Sequence, residues 1–338
     1  MMDGAPRPHV TRNARIVATG MHVPARVLTN AWFDRQLGED VGTWLVENLG
    51  IRERRWCGPD ESTADLATEA AVELLAAAGL GADDLDLIVV ATDTPEYISP
   101  ATAAVVQHRL GALRAGSFDL NTACAGFVTA LDLGAKYIRS DPRYTNILVV
   151  GAYAMSKYLD LNDKKTVTLF ADGAAGVVLQ ASDGDRGWQA ARLETRGQYH
   201  GWMGIYAGGT ARPITPEVLA AGQHQLRFVK KFPRELNPEV WTQVVTETVA
   251  DAGRRIDQID RIFFTQININ SIRAAMEALE LPMERTHCVM DRFGYTGSAC
   301  IPMCLAEADA AGQLREGDFV VFMGSGGGLA FACAAFTW

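Results

Sequence analysis

Residues 78–94, AGLGADDLDLIVVATDT, lie over residues 252–268, AGRRIDQIDRIFFTQIN, at an offset of 174. Ala-Gly meets Ala-Gly, Asp83 meets Asp257, Leu85 meets Ile259 and Asp86 meets Asp260, and an apolar run follows in each. Farther along, NILVVG at 146–151 answers DFVVFMG at 318–324 at nearly the same offset. A period this long indicates a duplicated domain and not a solenoid. Each half reads as a strand–helix unit that closes on a strand. SDGDRG at 182–187 interrupts the pattern, so the division is predicted there, with one half at 1–185 and the other at 186–338.

The intervening segments fit an α/β protein. Helical periodicity covers 64–78, 127–138, 240–252 and 272–281. Continuous apolar runs at 87–91, 147–150, 175–179, 261–264 and 319–323 predict strands inside a sheet covered on both faces.

Composition narrows the function. The 338 residues carry a net charge of -9, with 31 Lys+Arg against 40 Asp+Glu. An acidic chain without a basic run is unsuited to neutralising nucleic-acid phosphates. No apolar stretch reaches the ~18 residues of a membrane span. The N-terminal MMDGAPRPHVTRNAR lacks the apolar core of a signal peptide and reads as a tail. Six cysteines without paired spacing predict no metal site and a reducing, cytoplasmic setting.

One of those cysteines stands apart. Asn121-Thr122-Ala123-Cys124-Ala125-Gly126 joins a predicted strand at 116–120 to a helix. A thiol at a strand-to-helix turn meets incoming substrate, and the positive end of the helix dipole is expected to lower its pKa. Thiolate is the form that attacks an acyl thioester. Taken alone, the pattern fits a buried cysteine at a tight turn equally well.

The surrounding segments add a likeness. FDLNTACAGFVTALDLG (118–134) resembles the active-site segment of the β-ketoacyl-acyl-carrier-protein synthase III family of the thiolase superfamily. Four further stretches resemble that family in order: RIVATGMHVPARVLTN, VGTWLVENLGIRERRW, LDLNDKKTVTLFADGAAGVVL (with Ala171 for a glycine) and GSGGGLAFACAAF. The resemblance implies a thiolase-like five-layered αβαβα fold with duplicated halves, and a homodimer. It implies that Cys124 carries an acyl group taken from an acyl-CoA or acyl-carrier-protein thioester, with no permanently bound cofactor. It also makes the N–H groups of Cys124 and Gly327 the oxyanion hole.

Two positions depart from the family. Phe264-Thr265-Gln266-Ile267-Asn268-Ile269-Asn270 puts Thr265 where the family has histidine. Phe293-Gly294-Tyr295-Thr296-Gly297 puts Tyr295 where it has asparagine. A hydroxyl and a phenol can donate hydrogen bonds, but neither is a base near neutral pH, tyrosine's ordinary pKa being about 10. The expectation is therefore an acyltransferase or condensing enzyme of specialised metabolism, passing acyl from Cys124 to a carbon, oxygen or nitrogen acceptor. One alternative is ordinary decarboxylative 3-oxoacyl synthase chemistry of fatty-acid or polyketide initiation, with Thr265 and Tyr295 sufficing. Another is a non-catalytic partner subunit of a condensing complex. Glu96 is the candidate base, on the loop that in this family crosses the dimer interface; His200 is a weaker one.

The likeness also locates the mouth. Trp44 is expected to stack on the coenzyme A adenine with Lys164 nearby. Asn268 and Asn270 are assigned to substrate binding. Asn48 and Asn270 replace arginines of the family, which weakens recognition of phosphate and of an acidic carrier protein. Ser99, where small-pocket members carry phenylalanine, is expected to widen the acyl tunnel. Asp172 reads as architectural and Cys300 as a packing residue.

Overall fold

The computed structural model describes residues 12–338; of the segment 1–15 read as a tail, 1–11 lie outside them, and 12–15 instead begin a strand that pairs in the first sheet. Apart from short two-stranded ladders, the strands form two sheets. The first contains β1 (Arg12–His22), β2 (Leu87–Ala91), β3 (Gly116–Leu120), β4 (Asn146–Ala154) and β5 (Asp172–Asp183), in the order β1-β5-β4-β2-β3. The second contains β6 (Gly187–Thr195), β7 (Arg261–Phe264), β8 (Phe319–Gly326) and β9 (Ala330–Thr337), in the order β7-β8-β9-β6. The chain leaves the first sheet at Asp183 and enters the second at Gly187.

The helices used below are α1 (Gly42–Leu49), α2 (Thr63–Ala78), α3 (Thr102–Leu110), α4 (Gly126–Ser140), α5 (Leu236–Asp251), α6 (Ile269–Ala278) and α7 (Cys300–Ala310). Helices α2 and α3 cover the outer face of the first sheet, while α5, backed by α6, covers that of the second. Between the sheets lie α4 and α7, which gives five layers, αβαβα. The duplication is visible in the starts of matching elements: Leu87 of β2 pairs with Arg261 of β7, and Gly126 of α4 with Cys300 of α7, both at the offset of 174 read from sequence.

Local chemistry explains the boundaries. Strand β2 is buried along its whole length, as a continuous apolar run between helix layers must be. Helix α2 starts on a capping box in which Asp65 Oδ2 accepts the Ser62 N–H at 2.7 Å and Ser62 Oγ accepts the Asp65 N–H at 3.4 Å. Helix α5 starts at Leu236, before the predicted residue 240, because Pro238 falls in the first turn, where no backbone N–H is needed. Helix α6 likewise starts early, on Asn268, and stops before Glu280, which turns left-handed at φ 55°. No helix among the described residues is long and apolar enough to cross a membrane.

Candidate active site

Strand β3 ends at Leu120, and the turn that follows carries Cys124 to the start of the central helix α4. Ala123 adopts φ 47°, a left-handed conformation costing a non-glycine residue about 1–2 kcal/mol. Asn121 Oδ1 braces it by accepting the Ala123 N–H at 2.9 Å. Opposite, β8 ends in Gly326, and a Cβ there would lie 2.5 Å from Cys124 N and 2.8 Å from Thr122 O. Only glycine lets the two backbones approach so closely. Neither the Cys124 nor the Gly327 N–H has a hydrogen-bond acceptor among the described residues. Two free donors beside a nucleophile are what an oxyanion hole requires.

Tyr295 closes the site. Its main chain is strapped to the segment before β5, Tyr295 N–H to Leu169 O and Ala171 N–H to Tyr295 O, each at 2.9 Å. Its ring packs 5.3 Å from that of Phe170, and its phenol and the Cys124 thiol lie close enough to act on each other's ionisation. Burial, then the neighbouring thiol, pushes the phenol well above its ordinary pKa, so at neutral pH it remains a donor. Tyr295→Phe keeps the packing and removes this donor. Turnover is expected to fall about 100-fold, Cys124 alkylation to shift to higher pH, and the melting temperature to stay nearly unchanged.

The thiol departs from the sequence expectation. Cys124 is buried, and burial followed by the charge of Asp93 pushes its pKa well above the ordinary value; the nearby Tyr295 hydroxyl opposes this only in part. Desolvation outweighs the helix dipole here, because the helix end faces a dry interior and not solvent.

The other predicted residues divide. Thr265 sits beside the glycine loop, but its hydroxyl is engaged on the backbone of Ser325, accepting the N–H at 2.8 Å and donating to the C=O at 3.3 Å. It fastens the loop after β7 to β8. Glu96 Oε2 accepts the Ala64 N–H at 2.9 Å, an extra cap on α2 that occupies one carboxylate oxygen. Asn268 caps α6, its Oδ1 accepting the Asn270 N–H at 2.9 Å. His200 is exposed, with Nδ1 near its own turn at Gly197 O.

At the mouth, Asn270 Nδ2 donates to Asn48 O at 2.8 Å and Asn48 Nδ2 to Trp44 O at 2.9 Å, so these three residues are brought together. The Trp44 ring is 55% exposed, as a stacking platform must be. Lys164 is paired with Glu39 at 2.9 Å, which takes up its charge. Ser99 is exposed on a projecting loop with Tyr97 and Ile98. Asp172 is buried and accepts N–H groups of Cys57 at 2.7 Å and Ser156 at 2.8 Å, the architectural role expected. Cys300 is buried at the head of α7, its Sγ accepting the Gln266 N–H at 3.5 Å, and burial pushes its thiol to about 12. Among the described residues, no cluster of three His, Cys, Asp or Glu side chains could hold a metal ion.

One residue went unnoticed in the sequence. Asp93, just past β2, exerts its charge on Cys124, and its Oδ1 is sealed from solvent without a hydrogen-bond partner. Nothing in ThrAspThr distinguishes it from a loop carboxylate; only the fold brings it to the thiol.

Five αβαβα layers, with a buried cysteine at the turn into the central helix α4, define a protein of the thiolase-fold class. Comparison with known proteins gives the particular family. Residues 118–197 match the family described as 3-Oxoacyl-[acyl-carrier-protein (ACP)] synthase III, and residues 249–338 its C-terminal part. The beta-ketoacyl-[acyl-carrier-protein] synthase III of Roseiflexus sp. (strain RS-1) is 38% identical over 328 residues, 96% of this chain and 98% of that one. Among solved structures, the Thermus thermophilus synthase III superposes with a TM-score of 0.86 at 36% identity, covering 96% of this chain and 99% of the other. The priming β-ketosynthase of the R1128 polyketide biosynthetic pathway gives 0.86 at 25% identity, covering 99% and 98%. The chain belongs to the 3-oxoacyl-acyl-carrier-protein synthase III family, whose members are condensing acyltransferases with a cysteine nucleophile.

Proposed function

We propose that this protein takes an acyl group from an acyl-CoA or acyl-carrier-protein thioester onto Cys124 and condenses it with the carbon of a second, carrier-borne thioester. The observation that carries the reading is the pair of unbonded N–H groups, of Cys124 and Gly327, beside the buried thiol. In the loading step the Cys124 sulfur attacks the thioester carbonyl, the two N–H groups receive the developing oxyanion, and the Tyr295 phenol stands beside the sulfur as a donor. Trp44, Asn48 and Asn270 form the rim past which the donor's carrier arm would enter. The names of full-length relatives favour carbon–carbon bond formation over the broader acceptor range expected from sequence.

A second reading, transfer to an oxygen or nitrogen acceptor in specialised metabolism, draws on one observation. With the Thr265 hydroxyl held by Ser325, the histidine–asparagine pair that steadies an enolate keeps a counterpart only in the Tyr295 phenol. In either reading the halves 1–185 and 186–338 act as one unit in the cytosol. The exposed loop of Tyr97, Ile98 and Ser99 is the surface we assign to a homodimer contact, with Ser99 facing the partner's acyl tunnel.

The two readings part on carbon dioxide. Incubation with an acyl-CoA and a malonyl thioester is expected to release CO₂ in step with a 3-oxoacyl product. Acylation of Cys124 without CO₂ from any malonyl donor would favour the second reading. A chain that never acquires acyl would be a non-catalytic subunit.

A further inference from the structure

The missing histidine leaves a question of proton traffic. When Cys124 attacks a thioester its S–H proton must go somewhere, and the thiol is too buried to ionise by itself. The Thr265 hydroxyl is occupied by Ser325, the Tyr295 phenol is pushed above its ordinary pKa and is no proton acceptor, and Glu96 caps a helix. Among the described residues the nearby carboxylate is Asp93.

Its setting is unusual. Asp93 lies two residues past the carboxyl end of β2, and Cys124 four past that of β3, the parallel neighbour of β2, so both stand at the same edge of the first sheet. This is the edge where open α/β sheets place their sites. Asp93 Oδ1 is buried, and no protein group satisfies it. A carboxylate oxygen sealed from solvent with no donor costs stability. The fold does not demand it: the duplication sets Ile267 at the corresponding corner of the second half, as exposed a position as Asp93, and there an apolar side chain packs against the core. The acid is therefore an addition peculiar to the half that holds the nucleophile. Its titratable neighbours are Cys124, Tyr153 from β4 and Tyr158 from the turn after it, all uncharged at neutral pH. With no cation to hold it ionised, burial pushes the Asp93 carboxyl up to about 6, a value suited to accepting and returning a proton near pH 7.

We propose that Asp93 receives the Cys124 thiol proton during acyl loading and delivers it to the departing thiolate. The inference rests on the reading that Cys124 is acylated. As the bond from Cys124 sulfur to the acyl carbonyl carbon forms, the S–H proton moves to the Asp93 carboxylate. The bond from that carbon to the donor's sulfur then breaks, and the thiolate leaves with the proton from Asp93. No hydrogen bond joins the two side chains in this resting structure, so a carboxylate rotation or a bridging water completes the path. The acid thereby supplies, from the half that holds the nucleophile, a proton acceptor that Thr265 and Tyr295 cannot be.

The test measures the rate at which acyl-CoA adds acyl mass to Cys124, in the wild type and in Asp93→Asn, between pH 5 and 8. Iodoacetamide alkylation of the same thiol serves as the parallel readout. Loading is expected to fall about 100-fold or more in the variant, and the wild-type rate to drop below pH 6. Alkylation should be unchanged or faster, because removing a negative charge makes the thiol more acidic. A role confined to electrostatics predicts the opposite sign for loading, since the variant would then load faster. Loading by Asp93→Asn at or above the wild-type rate would overturn the assignment, as would a wild-type rate that is flat from pH 5 to 7, a measurement that needs no variant. Failure of the wild type to load at all would overturn both this inference and the reading beneath it.

Discussion

Gly326→Ala is expected to lower acyl transfer at least about 100-fold and to cost about 1–3 kcal/mol of stability. The added methyl would lie 2.5 Å from Cys124 N and 2.8 Å from Thr122 O, and both are backbone atoms that cannot swing aside. The turn they belong to is already held with Ala123 left-handed, so it has little freedom to yield. Moving it displaces both the thiol and the Cys124 N–H that must face the oxyanion. Gly327→Ala is the internal control. A Cβ there finds its nearest neighbour, Met203 O, at 3.7 Å, an ordinary contact. Thermal melts and single-turnover rates of the two variants should therefore differ sharply, with the greater loss at 326. Equal behaviour would mean that the strand end does not fix the nucleophile.

The second large effect is at the nucleophile. Cys124→Ala is expected to lose at least about 10³-fold in turnover while melting near the wild-type temperature. Nothing nearby can replace it. Cys300, the closest in influence, is a hydrogen-bond acceptor for Gln266 with its thiol pushed to about 12 by burial. Removing one buried sulfur leaves a void of about one atom at a site otherwise held by glycine contacts, so the fold should persist. Steady-state rates with an acyl-CoA donor, beside a melting curve, check both parts.

The sequence allowed the architecture to be read because its repeat is chemical. The paired Asp residues and apolar runs of 78–94 and 252–268 occupy matching corners and strands of two sheets. Helix starts were misread where they depend on a detail of the first turn, as with Pro238 and Asn268. Cys124, Tyr295 and the glycine loop were legible because their neighbours in sequence constrain them. The proton partners were not. Glu96 and Thr265 carry side chains suited to catalysis, yet each is used by a backbone group that only the folded chain brings near, while Asn268 is taken up locally as the cap of α6. The Cys124 thiol was misjudged for a related reason: a helix terminus is visible in sequence, whereas the dryness around it is a property of packing. Asp93 shows the converse, an unremarkable loop residue made significant by the adjacency of β2 and β3.

The central claim is that Cys124 carries the acyl group, and intact-protein mass spectrometry with peptide mapping after incubation with an acyl-CoA tests it most directly. A single acyl adduct on the peptide containing Cys124, absent from Cys124→Ala, is the predicted result. An adduct on another residue, or none with any acyl-CoA or acyl-carrier-protein donor, would contradict it.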